Sequence, residues 1–173
     1  LTLGLHALGV RKNDEVITVA NTAIPTITAI VNSGAVPKFV DVNENYLIDC
    51  SKIIRAINKR TKAIIPVHLY GKTCDMDEII KIAKKYKLKI IEDTCESLGA
   101  EYDKKKLGTI GDFGTYSFYY SHQITSGEGG MVVCQNKEDF ELIHTLRAHG
   151  WDRGLNNKIK KNNFNFINSG FNL

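Results

Sequence analysis

Short apolar runs alternate with amphipathic stretches through the first half of the chain. Val16 to Ala20 (VITVA), Lys38 to Val42 (KFVDV), Ala63 to Val67 (AIIPV) and Leu88 to Ile91 are nearly continuous and rich in β-branched residues, the pattern of strands buried on both faces. Between them, Ala23 to Asn32 is apolar, carries Pro25 in its first turn and is closed by Ser33 and Gly34, which predicts a helix. Ser51 to Ile57 is predicted as the next helix, with Ser51 or Asp49 as its N-cap, and Asp75 to Tyr86 as an amphipathic one with Ile79, Ile82 and Ala83 on one face. A helical pattern in LTLGLHALGV and a polar turn from Lys12 to Glu15 precede the first strand. Strands separated by helices in this way predict an α/β fold, with a mainly parallel mixed sheet and helices on both faces.

The second half changes character. From Gly99 to Gly114 the chain reads as turns and short strands, with Gly108, Gly111 and Gly114 three apart. No GK[ST] follows and no helix begins there, so the glycines read as turn punctuation rather than a phosphate loop. Tyr116 to Tyr120 is predicted as a buried strand that opens into the polar, Gly-rich turn SHQITSGEGG before a further strand, Met131 to Cys134. Lys137 to His149 reads as a helix, apolar at Phe140, Ile143 and Leu146, and Asn156 to Asn168 as a polar loop. The chain opens without Met inside a helical pattern and ends at Asn172 and Leu173 without a closing element, the pattern of a fragment.

Composition narrows the class. The 173 residues, 43% hydrophobic and 24% charged, suit one soluble globular domain. The net charge of +4 comes from lysines scattered through Asn- and Ile-rich segments, which argues against a nucleic-acid partner. No apolar run approaches the ~20 residues of a membrane span and no signal sequence opens the chain, so no membrane association and a cytoplasmic location are expected. Cys50, Cys74, Cys95 and Cys134 lack metal-ligand spacing and read as reduced structural thiols.

In open α/β sheets ligands sit at the carboxyl ends of strands, which singles out Asn21, Thr22, His68, Asp93, Glu96, Ser121 and His122. A carboxylate directly after a buried strand, as at Asp93, is either a capping or turn group or the partner of a bound cation. Glu96 is open to the same two readings, and the two carboxylates together are a weak sign of acid and base work. His122 has Ser121, Gln123 and Thr125 beside it and Glu128 beyond, polar company that suits a ligand-facing imidazole as well as a structural one. His68 closes a strand and is a lesser candidate; His6, His144 and His149 fall in helical segments. No HExxH, GxSxG or Walker pattern occurs. The residues by themselves describe an α/β enzyme site without naming a cofactor.

Five blocks carry a resemblance: KNDEVITVANTAIPTITAIVNSGAVPKFVDV, TKAIIPVHLYG, EDTCESLGAEY, GTIGDFGTYSF and EGGMVV. In that order and spacing the chain resembles the DegT-type family of pyridoxal-phosphate sugar aminotransferases, whose large domain has the aspartate aminotransferase fold. The resemblance covers nearly the whole chain. It implies a cofactor-binding large domain over residues 1–155, truncated at its N-terminus, and a polar loop over 156–173 leading to an absent small domain. It also implies that Asp93 pairs with the pyridine nitrogen and keeps it protonated, that Ser117 binds the cofactor phosphate, and that Glu96 replaces a Gln near the ring hydroxyl. Asn172 would reach the phosphate of the neighbouring subunit's cofactor in a homodimer of the full-length protein. The aromatic that stacks on the cofactor in the family aligns with Ala23 here.

The departure that matters is His122. The family reads SFyptKnlgagEGG at this place; counting back from Glu128 puts His122 at the lysine, and no lysine lies between Lys106 and Lys137. An imidazole cannot form lysine's covalent link to the cofactor aldehyde. The substitution, with LRAHGWDR and FNFINSGFNL further on, resembles a subgroup of 3-dehydratases acting on nucleotide-linked 4-keto-6-deoxyhexoses, although the subgroup's second histidine is Gln123 here. The subgroup implies pyridoxamine 5'-phosphate, or pyridoxal 5'-phosphate, held noncovalently, with glutamate or a reductase partner restoring it. His122 would move a proton at the cofactor's C4' carbon while the C3 hydroxyl leaves, on the way to a 3,6-dideoxysugar of cell-surface polysaccharide. The alternatives are a nucleotide-sugar aminotransferase or an inactive fragment of either.

Overall fold

The apolar runs form strands β1 (Glu15–Val19), β2 (Val36–Val40), β3 (Thr61–Ile64) and β4 (Lys89–Asp93). They are followed by the short β5 (Glu101–Tyr102) and β6 (Lys105–Lys106), then β7 (Phe113–Ser117) and β8 (Gly130–Cys134). Six of these make one sheet in the order β2-β1-β3-β4-β7-β8, every neighbouring pair parallel except the antiparallel β7 and β8. The computed structural model describes residues 1–153, 155 and 164–172, which fall into two compact units, Leu1–Cys134 and Gln135–Leu173.

In the first unit, α1 (Thr2–Ala7), α2 (Ile24–Asn32), α3 (Cys50–Ala56) and α4 (Met76–Tyr86) surround the sheet. The chain moves one way from β1 to β2 and the other way from β2 to β3 to β4. Right-handed crossovers therefore put α2 on one face and α3 and α4 on the other. The packing agrees: α1 meets α2, and α3 meets α4. Val16, Ile17, Ile64, Ile65, Ile91 and Phe113 are completely buried between these layers. Among the described residues no helix is long and apolar enough to cross a membrane.

Local chemistry sets the element ends. Asp49 is the N-cap of α3, accepting from Ser51 N at 3.0 Å and from Ser51 Oγ at 2.6 Å. β4 runs past Ile91 through Glu92 and Asp93, because pairing with β7 continues over Glu92↔Gly114 and Asp93↔Thr115. The strand expected over Tyr116–Tyr120 lies three residues earlier, at Phe113–Ser117. Its register puts Gly114 against the backbone of Gly108, where any Cβ would collide, and after Ser117 the chain turns, with His122 N donating to Tyr119 O at 3.0 Å. β5 and β6 are short strands of the kind expected over Gly99 to Gly114, paired as a hairpin whose turn residues, Asp103 (φ 46°) and Lys104 (φ 62°), are both left-handed.

In the second unit, α5 (Lys137–Leu146) is capped by Asn136, which accepts from Asp139 N at 2.8 Å. It stops short of the expected His149, since His149 and Gly150 both take positive φ. Trp151 stacks on Phe164 with ring centroids 5.0 Å apart, and Arg153 lies over the same indole. The loop expected from Asn156 onward lies outside the described residues as far as 163.

Candidate functional site

β1 and β3 are neighbours whose outgoing connections run to opposite sides, so a crevice opens beyond their carboxyl ends, next to those of β4 and β7. Asp93 ends β4 there, only 4% exposed. Its Oδ2 accepts from Thr26 Oγ1 at 2.7 Å and its Oδ1 from Cys95 N at 3.3 Å. Thr26 is in the first turn of α2, and its hydroxyl lies 2.8 Å from that of Thr22. Thr26 gives its one proton to Asp93, so Thr22 is the donor between the two hydroxyls. Among the described residues no cationic side chain pairs with Asp93. The turn contact of the sequence reading is present at Oδ1, but the stronger tie is to α2.

Glu96 and His122 come together. With Tyr70, Gly71, Ser121 and Gln123 they line an open cavity of about 340 Å³. Gln123 Nε2 donates to Glu96 O at 2.8 Å and ties the turn after β7 to the segment after β4. His122 is half-buried and belongs to the turn Tyr119–His122. A half-buried imidazole in a cavity with a carboxylate and an amide can exchange protons with a bound molecule.

The other expected residues are not among those lining this cavity. Ser117, the last residue of β7, accepts from Tyr119 N through Oγ at 3.2 Å. Asn21 Nδ2 donates to Tyr46 O at 3.2 Å. Ala23 is the N-cap of α2 and offers no ring. Asn172 belongs to the second unit, where it is exposed and bridges Ala148. All four cysteines are free, as expected. Burial pushes the Cys50 thiol up to about 11 and the Cys74 thiol up to about 12, and burial together with Asp93 raises Cys95, which keeps all three protonated.

Sequence reasoning missed Glu92 and underread His68. Both are completely buried. Glu92 Oε1 accepts from the N–H groups of Ile110 and Gly111, each at 2.7 Å, and Oε2 from that of Gly108 at 2.8 Å. His68 Nδ1 accepts from Cys74 N at 3.1 Å, so the ring's proton sits on Nε2, which donates to Glu92 Oε2 at 3.3 Å. This is a hydrogen bond of neutral imidazole rather than an ion pair. Burial pushes the Glu92 carboxyl up, but the bonds from His68, Gly111, Gly108 and Ile110 together outweigh it and hold the group below the usual carboxylate range. Gly108 and Gly111, with Ile110 between them, therefore wrap a carboxylate of the protein itself, not a phosphate. The available signal was an acid inside an apolar run, IIED, followed by GTIG.

Comparison with known proteins places the site in a family. The model of the DegT/DnrJ/EryC1/StrS aminotransferase family matches residues 1–173. GDP-perosamine synthase of Escherichia coli O157:H7 is 47% identical over 151 residues, 87% of this chain and 42% of that protein. Among solved structures, NtdA of Bacillus subtilis with bound pyridoxamine phosphate is 40% identical with a TM-score of 0.86, over 99% of this chain and 38% of that one. GDP-4-keto-6-deoxy-D-mannose-3-dehydratase of E. coli with bound hydrated pyridoxal phosphate is 37% identical with a TM-score of 0.82, over 89% and 41%. The chain thus spans less than half the length of each of these proteins. The fold is that of the pyridoxal-phosphate aminotransferases, and the chain belongs to the DegT/DnrJ/EryC1/StrS aminotransferase family.

Proposed function

We propose that the full-length protein removes the C3 hydroxyl of a nucleotide-linked 4-keto-6-deoxyhexose, using pyridoxamine 5'-phosphate, in 3,6-dideoxysugar synthesis. The observation that carries this reading is His122, which stands where the family's lysine is expected and lines a cavity with Glu96, while no lysine occurs from 107 to 136. Asp93 fits the cofactor's ring nitrogen: it is a buried carboxylate paired with no cationic side chain among the described residues, and Thr26 and Cys95 N hold its two oxygens in place. When bound, the cofactor supplies an amine for the sugar ketone and an electron sink. Asp93 keeps the ring nitrogen protonated, and His122 moves the proton at C4' as the C3 hydroxyl departs. With the cofactor bound, Glu96 would face its ring hydroxyl and Ser117 would hold its phosphate. In a homodimer, Asn172 reaches the partner's cofactor phosphate, and glutamate or a reductase restores the amine form.

The test is to incubate the full-length protein with pyridoxamine phosphate and GDP-4-keto-6-deoxymannose. A product that has lost the C3 oxygen and kept its ketone is expected, and His122→Ala should slow its formation by about 10²- to 10⁴-fold, the range for a general acid or base. A 4-amino sugar with the C3 oxygen retained would overturn the reading. It would favour the second one, a nucleotide-sugar aminotransferase, which the 47% identity to GDP-perosamine synthase supports. Borohydride discriminates independently: dehydration predicts no pyridoxyl-lysine adduct anywhere in the full-length protein loaded with pyridoxal phosphate, by mass spectrometry, whereas an aminotransferase would show one.

A further inference from the structure

Tyr70 occupies the cavity wall in an unusual conformation. Its φ is 57° and that of Gly71 is 75°, and Lys72 N donates to Leu69 O at 2.8 Å, so both central residues of a tight turn are left-handed. Such turns favour Asn, Asp and Gly, and a bulky side chain at positive φ is uncommon. The ring is largely out of the core, 68% exposed, and its hydroxyl makes no hydrogen bond among the described residues.

The turn cannot relax, because both of its ends are fixed. His68 N donates to Asp93 O at 2.9 Å, His68 O accepts from Ser97 Oγ at 2.6 Å, and the ring of His68 joins Glu92 to Cys74 N. Cys74 is fully buried and its thiol reaches Val67 O. A strained backbone that is over-determined by its surroundings, and that presents an aromatic ring to a cavity, is the pattern of a ligand-binding group. Across that cavity stand His122 and Glu96.

We propose that Tyr70 recognises the hexose of the substrate, its ring packing against the carbon face of the sugar as C3 is held beside His122. This rests on the nucleotide-sugar reading of the site. A tyrosine suits the task, offering a flat apolar face with a polar tip at little cost in side-chain freedom.

The experiment is calorimetric titration of the full-length protein, loaded with pyridoxamine phosphate, against GDP-4-keto-6-deoxymannose, dTDP-4-keto-6-deoxyglucose and the two nucleotides alone. Melting temperatures of each variant are taken in parallel. Tyr70→Ala should weaken binding of the preferred nucleotide sugar by about tenfold, the scale of one aromatic contact, and leave the bare nucleotide unchanged. Tyr70→Phe should keep the affinity. Tyr70→Asn, whose side chain accepts the left-handed turn, should melt no lower than wild type while binding the sugar as weakly as Tyr70→Ala. Unchanged sugar binding in Tyr70→Ala, equal weakening of the bare nucleotide, or a lower melting temperature in Tyr70→Asn would each overturn the proposal. Wild-type protein that binds neither nucleotide sugar would overturn the dehydratase reading together with it.

Discussion

The shortest hydrogen bond to Asp93 comes from one hydroxyl, that of Thr26. Thr26 donates to Asp93 Oδ2 at 2.7 Å, while Cys95 N reaches Oδ1 at the longer 3.3 Å. Thr26→Val keeps the side-chain volume and removes the donor, so it should cost about 1–3 kcal/mol in urea unfolding of the full-length protein, the range for a buried acceptor losing its partner. Thr26→Ser should restore most of it. Asp93 was legible in the sequence as a carboxylate at a strand end, whereas Thr26 was not: its tie spans 67 positions of chain and needs the α2 crossover to bring the two together. His122 was legible for a different reason, because what marks it is the absence of lysine rather than any contact it makes.

At the level of elements, the alternation of apolar runs and helices was enough to foresee the β1-to-β4 layer, since β1 is buried whole and β3 and β4 nearly so, although β2, at the sheet edge, is only partly buried. The β4–β7–β8 edge was less legible because its register depends on glycines whose use is tertiary. Gly114→Ala would drive a Cβ into the Gly108 backbone and should cost at least about 3 kcal/mol in urea unfolding. Gly127→Ala meets open space and should cost about 1 kcal/mol from its φ of +85° alone.

The same loop gives β4 a pH dependence. Glu92 is held below its ordinary value, so its contribution to stability is complete above the unfolded-state value of about 4.3 and is lost as the pH falls through the lower folded value. Glu92→Gln, which faces four N–H donors (Gly108, Ile110, Gly111 and His68 Nε2) with one acceptor oxygen, should lose about 2–4 kcal/mol at neutral pH and show a flatter acid limb than wild type when unfolding is followed against pH.

For the molecule as a whole, the family and the fold were readable from five blocks of sequence, while the division into units at Cys134 and Gln135 was not, since no composition shift marks it. The chain covers less than half of its relatives, so measurements of activity belong to the full-length protein. One feature of this unit will govern how it breathes. Glu92 and Asp93 point to opposite faces of the sheet, one gripped by the 108–111 loop and the other by α2, so the end of β4 is fastened from both sides. Opening it requires both layers to part at once. In hydrogen exchange, the amides of Asp93 and Thr94, bonded to Pro66 O and Thr115 O, should therefore be among the last to exchange, long after those of the exposed turn carrying Ser126 and Gly127. A protein built this way keeps its carboxylate stationary.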